Sequence, residues 1–296
     1  MLQAFRSFTL PIFLALIITL AVPSMGDVRV CKVGCSFNSV QDAIDSAKPE
    51  EAIIIESDNY VENISVDKPL ILRGLDTGSG RPVLSGNIEL TAGVAILRGF
   101  DIAGQDGEGC KFSIFGSAGI FLNSFHYSAS EQYKICSTDA NLWNSSELIN
   151  YQYESRVLRS RLGNFWQDYE GKDENRDGIG DEPKIIDNRN VDYYPLMQPP
   201  ENYKIKGEKD VRIKTVQSRL MESFTIPLKT NPTTGYKWFV DYDYDLLDLS
   251  FENSSGFSTF IFTPRKLGET SISFIYRKPW ENIVADTRIF HVVIST

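Results

Sequence analysis

The stretch Ala52-Ile-Ile-Ile-Glu56, followed by Tyr60-Val-Glu-Asn-Ile-Ser-Val-Asp-Lys-Pro-Leu-Ile-Leu-Arg-Gly74, decides how the first part of the chain is read. Ala52 to Glu56 is a short buried strand, and the longer stretch gives two more, broken at Asp67 to Pro69. Upstream, Ser39 to Ala47 predicts a short helix. Ser39 is its N-cap, and Val40, Ala43, Ile44 and Ala47 form one apolar face. Downstream, short apolar runs recur at Val83-Leu84, Ile88-Glu-Leu90, Val94-Ala-Ile-Leu97, Phe100-Asp-Ile102, Ile114 and Ile120-Phe-Leu122. Gly, Asp, Asn or Ser separates nearly all of them. No Asn-Gly or Asp-Gly is placed to turn a hairpin meander. The pattern therefore favours a coiled parallel sheet, in which each rung buries its apolar face against the next and a cap closes the end. The helix Ser39 to Ala47 is placed to be the N-terminal cap.

The chain has 296 residues, 42% hydrophobic and 23% charged, which is a globular composition. A formal net charge of -9 argues against a nucleic-acid backbone as partner. Arg6, the uncharged apolar run Phe8 to Val22, and Ser24 and Gly26 before Asp27 have the layout of a cleaved signal peptide, residues 1–26. The alternative is an uncleaved anchor over Ser7 to Gly26. No other stretch is long and apolar enough to span a membrane. The chain is thus expected to be secreted or displayed at the cell surface. Cys31, Cys35, Cys110 and Cys136 allow three pairings, of which Cys31 with Cys35 and Cys110 with Cys136 is expected by proximity. His126 and His291, the two histidines, sit in no triad-like arrangement and are expected to be structural.

Gln198-Pro-Pro-Glu-Asn202 marks a boundary, with a linker expected over 199–209 between domains at 27–198 and 210–296. Beyond it, strand-like segments recur at Val211 to Val216, Ser223 to Lys229, Tyr236 to Asp243, Leu246 to Glu252, Ser258 to Pro264, Thr270 to Tyr276 and Arg288 to Ser295. Phe224, Ile226 and Leu228 alternate onto one face, as do Phe290, Val292 and Ile294. Seven such strands predict an immunoglobulin-like β-sandwich with no disulfide. The expected fold class is all-β: a short right-handed parallel β-helix followed by that sandwich.

Within the closing segment of the first domain lies Asp173-Glu-Asn-Arg-Asp-Gly-Ile-Gly-Asp181. Asp173, Asn175 and Asp177 alternate before Gly178, like positions 1, 3 and 5 of an EF-hand loop. The Ile179 carbonyl and Asp181 would follow at positions 7 and 9. Position 12 is Lys184, not a bidentate Glu, and no helices flank the loop, so it is not an EF-hand. A structural Ca²⁺ is expected here, since crowded carboxylates repel one another without a cation. A solvated acidic turn is the alternative.

Two resemblances follow. Val33-Gly-Cys-Ser-Phe-Asn-Ser-Val-Gln-Asp-Ala-Ile44, the stretch from Tyr60, and Leu72-Arg-Gly-Leu-Asp-Thr-Gly-Ser-Gly-Arg-Pro-Val83 resemble the opening of secreted parallel β-helix proteins of archaeal cell surfaces. These are related to the periplasmic copper-binding β-helix family. Gly163-Asn-Phe-Trp-Gln-Asp-Tyr169 and Asn190-Val-Asp-Tyr-Tyr-Pro-Leu-Met197 resemble that family's closing segment, while Asp106 to Arg161 matches poorly.

In the C-terminal part, Asn231-Pro-Thr-Thr-Gly-Tyr236 and Tyr276-Arg-Lys-Pro-Trp-Glu281 resemble the chagasin family of cysteine protease inhibitors. That resemblance implies a partner, a papain-like cysteine protease, and no catalysis by this chain. Asn231, Pro232, Thr233, Thr234, Gly235 and Tyr236 would enter the protease cleft. Arg277, Lys278, Pro279 and Trp280 would flank it on one side and Gly256 on the other. Lys278 stands where the family usually has Arg, and only Gly256 remains of the usual Gly-rich loop. Asn63, Asn144 and Asn253 head glycosylation sequons. The competing expectation is a cell-surface structural or carbohydrate-binding protein with an adhesive sandwich. A β-helix polysaccharide lyase or hydrolase ranks last, because no cluster of carboxylates with a basic residue assembles on successive rungs.

Overall fold

The structure is a computed structural model that describes residues 28–92, 94–103, 109–126, 134–138, 140–206, 214–254, 256–279 and 284–296. The expected signal segment and Trp280 lie outside these residues. Among the described residues no helix is long and apolar enough to cross a membrane.

The N-terminal unit winds its short strands into three parallel sheets, and from Ala52 to Ser137 each turn of the chain adds one strand to each sheet. In stacking order the first holds Val28–Val30, Ala52–Glu56, Leu70–Leu75, Val94–Arg98 and Ser117–Phe121. The second holds Ile64–Val66, Ile88–Leu90, Phe112–Ile114 and Ile135–Ser137. The third holds Asn59–Val61, Val83–Ser85, Asp101–Ala103, Ser124–His126 and Phe165–Trp166. Register stacks like on like. Ile64, Ile88, Phe112 and Ile135 are in line in the second sheet. Tyr60, Leu84, Ile102, Phe125 and Trp166 are in line in the third. The third ladder is almost fully buried, so each rung contributes about 1.5–3 kcal/mol per side chain only because its neighbours cover it.

Both ends of the stack are closed. At the start, the helix Val40–Ser46 is capped by Ser39, whose Oγ accepts from the Asp42 amide. The Glu62 carboxylate accepts from the Val40 amide at 2.8 Å, the Gln41 amide at 3.2 Å and the Ser39 hydroxyl at 2.7 Å. This meets the helix's free N–H groups and ties it to the stack. Val40, Ala43 and Ile44 are fully buried against the first rung.

At the far end, Trp143 and Trp166 lie 5.5 Å apart between ring centroids, and both are buried. Their indole N–H groups need acceptors. Asn190 Oδ1 serves Trp143 at 3.0 Å and Asp192 Oδ2 serves Trp166 at 2.9 Å. Asp192 also accepts from the Asn164 amide at 2.8 Å and, on Oδ1, from the Tyr194 amide at 3.0 Å. Gly163 is required beside it, because a Cβ there would overlap the Asp192 carboxylate. The disulfides are Cys31–Cys35 and Cys110–Cys136, as expected, the second joining consecutive rungs.

Two features depart from expectation. Ile149–Tyr153 and Arg156–Ser160 form an antiparallel hairpin inside the stretch that matched poorly. Its turn uses Glu154 at φ 51 instead of Gly, so it carries no turn signature. Within the expected linker 199–209, Pro200–Asn202 is a 3-10 turn, and Tyr203–Lys206 pairs antiparallel with Ile149–Tyr153. Tyr203 and Tyr153 stack at 4.9 Å, and that contact draws the chain back onto the unit.

The C-terminal unit is the expected seven-strand sandwich. One sheet orders Lys214–Arg219, Val284–Ser295, Gly268–Arg277 and Lys237–Tyr242; the other orders Phe224–Lys229, Phe257–Pro264 and Leu247–Ser254. Ile226, Leu228, Phe260, Phe262, Ile272, Phe274, Val292 and Ile294 form its core.

Asp192 yields a measurable consequence. Asp192→Ala leaves several buried donors without an acceptor and should lower stability by about 3 kcal/mol in urea unfolding. Burial pushes the carboxyl up to about 7, against the hydrogen bonds that pull it down. A raised folded pKa stabilises most below the unfolded value and loses that contribution as pH rises through the folded one. The stability advantage of wild type over Asp192→Asn should therefore shrink as pH rises from about 4 to about 7. An advantage that grows over this range would show the carboxylate to be held ionised.

Candidate functional site

Strand pairing brings three loops to one end of the sandwich. The first, 230–236, follows Phe224–Lys229; the second, 254–257, joins Leu247–Ser254 to Phe257–Pro264; the third follows Gly268–Arg277. The Thr230 amide donates to the Gly256 carbonyl at 2.9 Å, which locks the first loop to the second. The Asn231 amide donates to the Tyr276 hydroxyl at 2.8 Å, which locks it to the base of the third.

The first loop is rigid for local reasons. Pro232–Thr234 is a 3-10 turn capped by Asn231. Asn231 Oδ1 accepts from the Thr233 amide at 3.2 Å and the Thr233 hydroxyl at 2.7 Å, and the Asn231 carbonyl accepts from the Thr234 hydroxyl at 2.7 Å. Gly235 ends the turn at φ 78, a conformation costly for any residue with a Cβ. Thr233 and Thr234 are exposed at the tip. Both hydroxyl protons are committed inside the loop, so the tip presents methyl groups and oxygen lone pairs to a partner.

Behind the tip lies an aromatic stack. Tyr236 and Tyr276 are 5.3 Å apart, Tyr276 and Trp238 4.8 Å, and Trp238 meets Phe274 edge-on at 6.3 Å. Trp238 Nε1 donates to the Lys229 carbonyl at 2.9 Å, so Trp238 supports the loop from within. Lys278 places its ammonium 5.3 Å from the Tyr236 ring, and Arg277 lies 4.3 Å over Phe239. A bulge between Tyr276 and Arg277 re-aims the chain as it enters the third loop.

The loops thus gather Asn231, Thr233, Thr234, Gly235, Tyr236, Gly256, Arg277 and Lys278 at one end. The Pro232 and Pro279 backbones belong to the same loops, and Trp280 lies outside the described residues. Tyr276, which joins the first loop to the third, is the organising residue that motif reading passed over. Its signal was its place just before Arg277.

The acidic loop is separate. Arg176 at φ 58 and Gly178 at φ 85 curl the chain, and Asp173 accepts from the Asp177 amide at 3.0 Å and the Gly178 amide at 2.8 Å. Asn175 Oδ1 also accepts from the Asp177 amide, and Asp181 accepts from the Glu174 amide at 2.7 Å. The Tyr151 hydroxyl donates to the Asp177 carbonyl, and the Tyr203 hydroxyl to the Gly178 carbonyl, holding the loop on the N-terminal unit. Burial raises the Asp177 carboxyl, with Asp173 and Asp181 adding repulsion. Among the described residues the one group of three candidate ligands gathered within 4.8 Å is Cys31, Cys35 and Glu56. Its sulfurs are already joined as a disulfide.

His291 is buried, 3.3 Å from Glu269 and 3.4 Å from Glu50, and His126 lies 3.8 Å from Asp101. Of the sequons, Asn144 is buried and donates to the Ser145 carbonyl, so the folded chain offers no room for a glycan there, whereas Asn253 is exposed beside the second loop.

Among the described residues, the sandwich thus presents at one end a capped turn tied to Gly256 on one side and to Tyr276 on the other. Residues 218–294 match the family described as Chagasin family peptidase inhibitor I42. Proteins of that family are protease inhibitors, not enzymes. The curated relative Amoebiasin-2 of Entamoeba histolytica is 37% identical over 68 residues, which cover 19% of this chain and 55% of that protein. The crystal structure of the cysteine protease inhibitor EhICP2 from Entamoeba histolytica is 29% identical, at a TM-score of 0.26, over 28% of this chain and 86% of that one. The solution structure of Amebosin is 29% identical, at a TM-score of 0.24, over 27% of this chain and 86% of that one.

Tyr276→Phe removes the acceptor of the Asn231 amide. It should cost about 1 kcal/mol of stability and speed hydrogen exchange at Asn231 by about tenfold. Exchange unchanged at Asn231 would show that the hydroxyl does not hold the loop.

Proposed function

We propose that this protein is an exported, reversible inhibitor of papain-like cysteine proteases that blocks the active-site cleft with the loop end of its C-terminal sandwich. The observation that carries the reading is the rigid Asn231–Gly235 tip, exposed and tied to both neighbouring loops, within the segment that matches the inhibitor family. The tip would enter the cleft over the catalytic thiolate. Its hydroxyl lone pairs would accept hydrogen bonds, and the pre-formed turn would lose little entropy on docking. Gly256 would flank one side of the cleft, and Arg277, Lys278, Pro279 and Trp280 the other. Trp280 would be the apolar anchor, as buried aromatic residues commonly are at interfaces. Lys278 supplies a point charge where a guanidinium would give planar contacts. No covalent step is required of the inhibitor.

Titrating the full chain against papain with a fluorogenic peptide substrate tests the reading. Competitive, near-stoichiometric loss of activity is expected. Thr234→Arg, which adds bulk at the tip, should weaken inhibition by about 100-fold or more. Full activity of papain in micromolar inhibitor would sink the reading.

In this reading the N-terminal unit is a surface scaffold, and the acidic loop braces its end with Ca²⁺. Asp173, Asn175, Asp177, the Ile179 carbonyl and Asp181 form an all-oxygen set suited to a hard cation. Asp181 would have to turn in from the Glu174 amide to join it. Millimolar Ca²⁺ should raise the melting temperature by several degrees, reversibly with EDTA, and Asp177→Asn should abolish most of the rise. No shift in wild type would leave the loop a hydrogen-bonded turn.

A further inference from the structure

The outer face of strand Gly268–Arg277 lies against the N-terminal unit and can be followed towards the loops. Ser271 and Ser273 come first, each with its hydroxyl 3.1 Å from Ser117 Oγ. Ile275 and Arg277 come next. They line a cleft of about 420 Å³ whose opposite wall includes Ile185, Asn188, Arg189 and Tyr193. At the loop end, therefore, the N-terminal element alongside the sandwich is the hairpin of Lys184–Ile185 and Val191–Asp192.

This placement is fixed by polar ties. Arg161, itself buried, reaches Asp286 at 2.6 Å; Arg288 joins Asp286 and Glu147, each at 2.9 Å; and Thr215 donates to Glu50 at 2.8 Å. The hairpin is stiff as well. Asp187 Oδ1 accepts from the Arg189 and Asn190 amides at 2.7 and 2.8 Å, and Asp192 anchors the returning strand. Yet Ile185, an apolar side chain, is 57% exposed, and Asn188 and Arg189 on the turn are exposed too. Short loops alone supply fewer residues than the roughly 20–30 per side of a stable interface.

We propose that the hairpin around Ile185 to Tyr193 is a fourth contact surface for the protease seated on the loops, continuing the Arg277 side of the site onto the N-terminal unit. The partner is the rim of the papain-like enzyme's cleft, met by an apolar Ile185 and a polar turn. The inference rests on the inhibitory reading. It gives the N-terminal unit a part in choosing the target, because rim surfaces differ more freely than a catalytic cleft.

The test uses the full chain and papain. Inhibition constants and dissociation rates are measured for wild type, Ile185→Asp and Val61→Asp. Val61 is similarly exposed but lies on the first strand of its sheet, at the opposite edge from the closing hairpin. Ile185→Asp should raise the inhibition constant about tenfold, mainly through faster dissociation, while Val61→Asp stays within about twofold. Equal melting temperatures show that the fold is kept; were Ile185→Asp to melt early, Ile185→Ser replaces it, with a loss of about threefold expected. Wild type that inhibits, with the Ile185 variant unchanged, overturns the fourth contact and leaves the loop reading standing. Wild type that fails to inhibit takes both down.

Discussion

Closure of the parallel stack is the constraint on which the rest of the molecule depends. A stack of rungs leaves one apolar face open at each end. Here the last face carries two tryptophans, whose rings cover the core but whose indole N–H groups cannot stay unpaired in a dry interior. The chain answers by returning, 47 residues after Trp143 and 26 after Trp166, with Asn190 and Asp192 aimed at those donors. Much follows from that return. Gly163 must lack a side chain, Asn164 must donate to the same carboxylate, and the strand through Asp192 must run antiparallel to Lys184–Ile185. The closing hairpin is thereby set at the edge of the unit that the sandwich meets.

The sandwich is held on that unit by a different physics. The contact is built from serines, Arg161, Arg288, Asp286, Glu147 and Glu50. Exposed ion pairs contribute little one by one, but Arg161 is mostly buried, and its pairing with Asp286 must be kept once it is out of water. Directional contacts of this kind fix orientation better than they fix stability. They occupy the outer face of one sheet and leave the loop end clear.

What the sequence revealed was what local patterning controls. The Ser39 cap, the alternation of Ile226 with Leu228, and the turn chemistry of Asn231 to Gly235 each follow from neighbours in the chain, and the structure carries all three. The hairpin turning at Glu154 stayed hidden because its left-handed residue is not Gly. Tyr203–Lys206 read as linker because its strand character comes from Tyr153 and Tyr151 across the sheet, not from its own Lys-rich composition. Tyr276 was visible as a residue but not as an organiser, since its partner Asn231 is 45 positions away. The acidic loop's curl was legible from its Asx spacing, whereas where its carboxylates point depends on which amides lie near them.

The tip loop shows why the aromatic layer behind it matters. Freezing a free backbone costs about 1–2 kcal/mol per residue, so a floppy loop of this length would lose most of what a small contact area can return. In this chain the cost is met on folding. Asn231 caps the turn, Gly235 closes it, and the Tyr276 hydroxyl and the Gly256 carbonyl pin its entry from two sides. Tyr276 can do this only because Trp238 and Tyr236 pack on either side of its ring, and Trp238 in turn is positioned by the Lys229 carbonyl, one residue before the loop begins. The path from core to tip is therefore closed on itself. The strand that delivers the loop also orients the ring that stiffens it, and a loosened core would be felt at the binding end before the sandwich unfolded.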